Sequence, residues 1–290
     1  MSTELALLSA IAAAPDDDLP RLAYADWLDE NDRPLRAEFI RLQIEIAKKE
    51  TLPRAAVNVF AHLWQRQQEI LDHHRDELLG PLAGVVTQYN YEFRRGFLEQ
   101  MTFRLTDFLD HNDAIGTLRP PPALRVTDAA EQLEHLAAAG CVEWIAELQV
   151  ESEAFLPRDR FGLAVVLELV AAAPRLSGLT HLDLENCRLG DIHLDGLFAR
   201  PCFPALQELD LSFNDLTDAG VIDLLNTGVP QRLKRLVLGG NPIGDQAAME
   251  LADRLGGSKV LESLNLRMTN IGGAGQAALL ARLGGRVDLF

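Results

Sequence analysis

The chain is poor in the residues that would announce a chemistry. Its 290 residues hold 3 cysteines, Cys141, Cys187 and Cys202, with no C-x-x-C pair among them. That spacing argues against a disulfide framework and suits a reducing compartment, so a cytoplasmic location is expected. Positive charge is also scarce: 27 Lys and Arg stand against 43 Asp and Glu, a formal net charge of -16. Such a balance repels phosphate backbones and anionic lipid, which leaves no nucleic-acid or membrane partner in view and favours a basic protein. No run of about 18 consecutive apolar residues exists, so no membrane span is expected. The stretch ELALLSAIAAAP, residues 4–15, has the look of a signal peptide, but no Lys or Arg precedes it and Glu4 sits where positive charge belongs. It reads as an amphipathic helix carrying Leu5, Leu8 and Ala12 on one stripe.

Catalytic patterns are missing too. There is no G-x-S-x-G elbow, and no cysteine stands in a recognisable catalytic setting. Asp26, Asp29, Glu30 and Asp32 lack the order and central glycine of a calcium loop, so they read as a solvated helix end. Asp72, His73, His74 and Asp76 include adjacent histidines, which point about 100 degrees apart on a helix and share no metal; they read as a wet helix face. The GGAG at 272–275 lacks the Lys and Ser/Thr of a phosphate loop. The sequence therefore implies no enzyme, no cofactor, no metal and no catalytic residue.

What the chain does have is apolar content, 48% of its residues, enough to bury roughly three quarters of the unfolded surface. Much of it is periodic. Leu179, Leu182, Leu184, Cys187 and Leu189 align with Leu206, Leu209, Leu211, Asn214 and Leu216, then with Leu233, Leu236, Leu238, Asn241 and Ile243. Leu261, Leu264, Leu266, Thr269 and Ile271 follow, and the starts differ by 27, 27 and 28 residues. In L-x-x-L-x-L the last two leucines lie two apart, on one face of a short strand, and the residue between them points away. The Asn, Cys or Thr that follows can bond backbone groups in a bend. Asp191, Thr217 or Asp218, and Asp245 then stand where a helix N-terminus wants an acceptor, with Gly273 in the fourth unit. Leu-Gly-Gly at 255–257 and 283–285 reads as helix termination. Strand, bend and helix per unit predict an α/β solenoid whose parallel sheet lines a concave wall.

These units, with LxxLxLxxNxLTDAG at 206–220 as the clearest, resemble leucine-rich repeats of the ribonuclease-inhibitor type, which implies a horseshoe with helices on its convex side. A weaker unit starts at Ile145 with Leu148, Val150 and Phe155. Leu124 with Val126, and Leu98, Met101 and Phe103, are candidate further strands, and Val287 with Leu289 closes the sheet. The repeat domain is expected over 90–290, clearest at 179–285.

Residues 1–85 lack this register and predict an all-helical N-terminal domain that caps the solenoid. Its stripes are Leu19, Ala23 and Trp27 with Leu22; Leu35, Phe39, Leu42 and Ile46; and Val59, Leu63, Ile70 and Leu71. Tyr24-Ala25-Asp26-Trp27-Leu28 and Arg36-Ala37-Glu38-Phe39-Ile40-Arg41-Leu42 resemble the repeat-companion domain that precedes repeats in many bacterial proteins, a family with no activity to transfer.

On the concave wall the outward strand positions are expected to be Gln149 and Glu151, Asp183 and Glu185, Asp210 and Ser212, Val237 and Gly239, and Asn265 and Arg267. Glu147 and Glu208 add charge at the margin and Phe213 and Met268 add apolar area, while Arg104 and Arg125 lie at one end and Lys234 and Arg235 at the other. The expected partner-binding set is Glu147, Gln149, Glu151, Asp183, Glu185, Glu208, Asp210 and Phe213, taking a basic protein segment by long-range attraction. The alternative is a regulator of a small GTPase, since GTPase-activating proteins carry similar long repeats. Oligomeric state is not encoded in any of these features.

Overall fold

The computed structural model describes residues 2–50, 58–86, 90–129, 132–150, 161–198 and 202–289. The chain divides into two compact units, residues 1–102 with 111–123, and residues 103–110 with 124–290. Among the described residues no helix is long and apolar enough to cross a membrane.

The first unit holds helices α1 (Thr3–Ala13), α2 (Leu19–Glu30), α3 (Pro34–Glu50) and α4 (Ala61–Leu79), with strands β1 (Tyr91–Arg94) and β2 (Phe97–Arg104) pairing antiparallel. α3 is buried on two faces. Phe39, Leu42 and Ile46 pack with Ile70 and Leu78, while Ala37, Ile40 and Ile44 pack with Ile11, Tyr24, Ala25 and Leu28. The stripe expected on α3 is therefore a core stripe, while those expected on α1 and α2 hold in part: Leu8, Leu22 and Trp27 pack against the core. Leu5, Ala12, Leu19 and Ala23 are exposed, and the inward residues are Ile11 on α1 and Arg21, Tyr24, Ala25 and Leu28 on α2. The reason is that α2 turns the aliphatic stem of Arg21 inward with Tyr24, so an arginine occupies a position that counting apolar residues skips. Val59 is 72% exposed, and Ile70, Leu78 and Leu79 are the buried residues of α4.

The β1–β2 loop has two residues, Arg95 and Gly96, both at positive φ (51° and 85°), the geometry that matches the right-handed twist of paired strands. Gly96 is required twice over, since a Cβ there would also lie 2.5 Å from Cγ1 and 2.6 Å from Cα of Ile40.

In the second unit seven parallel strands follow in chain order: β3 (Ala123–Thr127), β4 (Ile145–Gln149), β5 (His181–Asp183), β6 (Glu208–Asp210), β7 (Arg235–Val237), β8 (Ser263–Asn265) and β9 (Val287–Asp288). Helix α5 (Leu105–Ile115) and the short α6 (Leu133–Leu136) precede the regular helices α7 (Phe161–Ala172), α8 (Asp191–Phe198), α9 (Asp218–Asn226), α10 (Asp245–Leu255) and α11 (Gly273–Leu283). The expected spine is present: Leu148, Leu182, Leu209, Leu236, Leu264 and Val287 are partners in successive strand pairs. Leu182, Leu209, Leu236 and Leu264 are at most 1% exposed, each contributing about 1.5–3 kcal/mol by burial. Phe155, part of the weaker unit, lies outside the described residues.

Two hydrogen-bond ladders hold neighbouring units at fixed stagger. In the first, Asn214 donates from Nδ2 to the carbonyls of Leu184 (2.9 Å), Leu211 (3.0 Å) and Ser212 (3.1 Å), and its Oδ1 accepts from Leu189 N (2.9 Å). Asn241 repeats this one unit on, donating to Leu211 (2.8 Å) and Leu238 (2.9 Å) and accepting from Leu216 N (3.1 Å). At the matching positions, among the described residues, the Cys187 thiol reaches only Val150 O (3.1 Å) and Thr269 only Leu266 O (2.8 Å). In the second ladder the helix-starting aspartates bond forward. Asp191 accepts from Thr217 N (2.9 Å), Asp218 from Gly244 N (2.5 Å) and Asp245 from Gly272 N (2.7 Å). The aspartates therefore serve the next unit rather than their own helix ends, while Thr217, the other residue expected at the start of α9, caps it through its hydroxyl, bonded to Ala219 N.

Two outcomes follow. Asn241→Ala strands the Leu216 amide and the Leu238 carbonyl and is expected to cost roughly 2–4 kcal/mol in urea unfolding, against about 1 kcal/mol for Thr269→Ala; equal costs would contradict the ladder. Gly96→Ala is expected to lose roughly 2–4 kcal/mol through its positive φ and the Ile40 clash, read as faster amide exchange in α3 with β5–β8 unaffected.

Candidate functional site

The strand face opposite the leucines carries two rows of side chains, aligned because the strands pair in register. The first runs Arg125, Glu147, His181, Glu208, Arg235 and Ser263, each residue the pairing partner of the next. The second runs Gln149, Asp183, Asp210, Val237, Asn265 and Asp288. A depression of about 390 Å³ lies on this face, lined by Asp183 and Asp210 together with Arg125 and Arg235.

The first row alternates in charge. Arg125 Nε lies 3.5 Å from Glu147 Oε2, and His181 Nε2 lies 3.1 Å from Glu208 Oε1. The other ring nitrogen, Nδ1, is 2.8 Å from Thr180 Oγ1, which orients the imidazole. These are half-exposed pairs, worth at most about 1 kcal/mol each, so they order side chains more than they stabilise the fold.

The second row is built differently. Asp183 Oδ1 accepts from Glu185 N (3.0 Å), Asp210 Oδ1 from Ser212 N (2.8 Å) and Oγ (2.5 Å), and Asn265 Oδ1 from Arg267 N (3.0 Å). Each is an Asx turn that bends the chain away at the strand end. One oxygen of each aspartate is thus committed to the turn, and among the described residues Oδ2 of Asp183 and of Asp210 accepts no hydrogen bond. Asp183 and Asp210 are neighbours across the sheet. Burial raises the Asp183 carboxyl above its ordinary 3.8; the Glu185 amide pulls it down, the Asp210 charge pushes it up, and Arg125 opposes.

The outward-facing set is therefore shifted by two residues toward the start of each strand from the expected one. His181, Glu208, Arg235 and Ser263 belong to it, whereas Ser212 is buried and Glu185 and Arg267 lie past the strand ends. The physical cause is that pairing stops at Asp183, Asp210 and Asn265, where the turn begins. Glu147 and Glu208, expected at the margin, stand within the first row, and Gln149, Asp183 and Asp210 within the second. Glu185 is exposed beyond β5, and Glu151 lies outside the described residues. Phe213 is 46% exposed at φ 53°, with its ring where a Gly240 side chain would begin. It belongs to a periodic series at positive φ: Asn186, Phe213, Gly240 and Met268. Arg125 and Arg235 were legible only as border residues; the signal that places them on the face is their spacing two before Thr127 and Val237.

The buried Cys187 thiol is pushed up to about 12 by burial and is chemically quiet. The acidic cluster on α2 is partly spoken for, since Arg41 reaches Asp26 (2.6 Å) and Asp29 (2.8 Å). Asp72, His73, His74 and Asp76 are all exposed on α4.

Comparison with known proteins agrees with this geometry. A family model described as Leucine Rich repeat matches residues 204–225, 230–252 and 257–280, and one described as Leucine Rich Repeat matches 178–199. The mouse (Mus musculus) protein "NACHT, LRR and PYD domains-containing protein 12" is 32% identical over 176 residues, 56% of this chain. The chain spans 16% of that relative's length. Leucine-rich repeats are thus present in the second unit, where the leucine spine, the asparagine ladder and the parallel sheet coincide with the matched residues.

Proposed function

We propose that this protein is a non-enzymatic interaction module whose repeats take a basic protein segment on the exposed, concave face of the sheet. Repeats of this kind suggest protein–protein interaction, and the comparison with a far longer relative in which they are one part agrees with it. The observation that carries the finer reading is the Asp183–Asp210 pair. Two neighbouring carboxylates, each with an oxygen left over from its turn, sit in a depression bounded by arginines, and a Lys or Arg side chain would neutralise them. The flanking Arg125 and Arg235 would repel an extended run of positive charge, so the fitting partner carries one or two basic residues followed by acidic or polar ones. Nothing favours the small-GTPase regulator. Within the same proposal the units are of the ribonuclease-inhibitor type arranged as a horseshoe, residues 1–85 form a companion domain, residues 90–290 form the repeat domain, and the protein works in the cytoplasm.

The reading trades stability for binding. Because the folded Asp183 carboxyl titrates above 3.8, ionising it costs the fold: the penalty is absent below 3.8 and complete once pH has passed its folded range. Asp183→Asn keeps the turn acceptor and is expected to raise the melting temperature slightly at neutral pH. The double variant Asp183→Asn, Asp210→Asn is expected to weaken a short Arg-containing peptide by about tenfold, roughly 1.4 kcal/mol, and to flatten its salt dependence in calorimetric titration. In the wild type the same peptide binds more tightly as pH rises through the range of Asp183. Unchanged affinity in the double variant removes this site.

A further inference from the structure

A second site lies in the first unit and is independent of the sheet face. Arg36, early in α3, stacks its guanidinium 5.3 Å from the Phe97 ring centroid and 6.0 Å from that of Phe93. Its Nη1 is buried without a hydrogen-bond partner among the described residues. Other inward arginines of this unit reach carbonyls: Arg21 bonds Asp17 O at 3.0 Å, Arg95 bonds Asp16 O at 2.7 Å, and Arg75 bonds Val86 O. Among the described residues Arg36 forms no ion pair; the carboxylate whose charge acts on it is Glu77, while Glu4 is taken, one oxygen holding both Arg33 and the Tyr24 hydroxyl at 2.9 Å. Burial pulls the Arg36 guanidinium down to about 10, so it remains charged at neutral pH. A buried guanidinium donor left without a hydrogen-bond partner is costly unless something completes it.

What surrounds Arg36 says what that would be. It lines a cavity of about 370 Å³, in the size range of small-ligand sites. Arg33, Arg119 and Tyr24 line it too, Glu77 is the one carboxylate among the described lining residues, and Leu8, Leu98 and Pro120 supply apolar wall. Arg33 is paired with Glu4, which leaves the Arg36 donor as the one open to a ligand among these. A single open guanidinium matches a monoanion better than a phosphate dianion, and its planar fork matches a carboxylate in shape. We propose that this cavity binds the carboxylate of a ligand with an apolar body, with Arg36 as its bidentate partner. The shared chemistry admits two sources, a free organic acid or the C-terminal residue of a peptide.

The test uses the full chain. Benzoate and hexanoate, their primary amides, an acetylated Phe-Leu dipeptide with a free C-terminus, and inorganic phosphate are titrated by calorimetry and by shift of the melting temperature. The carboxylates are expected to bind saturably and at least tenfold more tightly than the amides. Tighter binding of the dipeptide than of both small acids assigns a peptide terminus; the reverse assigns a free acid. Arg36→Met keeps the apolar stem and removes the unpartnered donor. It is expected to melt no lower than the wild type and to lose carboxylate affinity at least tenfold, with Arg36→Lys in between. Equal binding of acid and amide by the wild type, no saturable binding of any carboxylate, or a preference for phosphate overturns the assignment, and none of these results depends on a variant folding.

Discussion

A repeat that ends each strand with a buried bend must find partners for the peptide groups it hides there, and the side chain of one residue per unit supplies them. Asn214 and Asn241 each use both functional ends, donating to carbonyls of their own unit and of the preceding one and accepting from an amide of the preceding one. Buried polar groups left open are costly, so this requirement sets the distance and stagger between units more tightly than leucine packing, which is non-directional. The forward bonds from Asp191, Asp218 and Asp245 apply the same constraint at the helix starts. Gly220 shows how close that contact is: a Cβ there would lie 2.1 Å from Asp191 Oδ1.

The exposed face inherits its order from that spacing. Side chains at equivalent strand positions fall into rows because the strands beneath them cannot slip, and a row is where charges either pair or repel. The first row pairs, through Arg125 with Glu147 and His181 with Glu208. The second leaves Asp183 beside Asp210, tolerated because each also ends a strand by bonding an amide two residues on. Structural and recognition roles thus share the same side chains, and the tension between them is visible in the raised Asp183 carboxyl.

The first unit poses the opposite electrostatic problem. Its aromatic residues Trp27, Phe93 and Phe97 bring ring faces to arginines rather than to one another alone, and Arg36 is held by stacking where a carboxylate would be expected. Stacking orients a guanidinium but leaves its fork of N–H donors open, which is why the cavity beside it is a candidate for an acid.

The repeat period, the leucine spine and the polar residue at each bend were all legible in the chain, because a two-residue alternation and a residue repeated every 27 or 28 positions are one-dimensional signals. The stripe Phe39, Leu42 and Ile46 was legible for the same reason. Three things were decided only in three dimensions. Whether Asp183 ends its strand or merely decorates it depends on where pairing stops; whether Arg125 and Arg235 flank the carboxylates depends on alignment across separate strands; and the surroundings of Arg36 depend on Tyr24 and Glu77 brought in from other helices. Periodicity specifies which side chains face inward, but the electrostatic surroundings of a charge are set by residues distant in the chain, and those only the tertiary structure assembles.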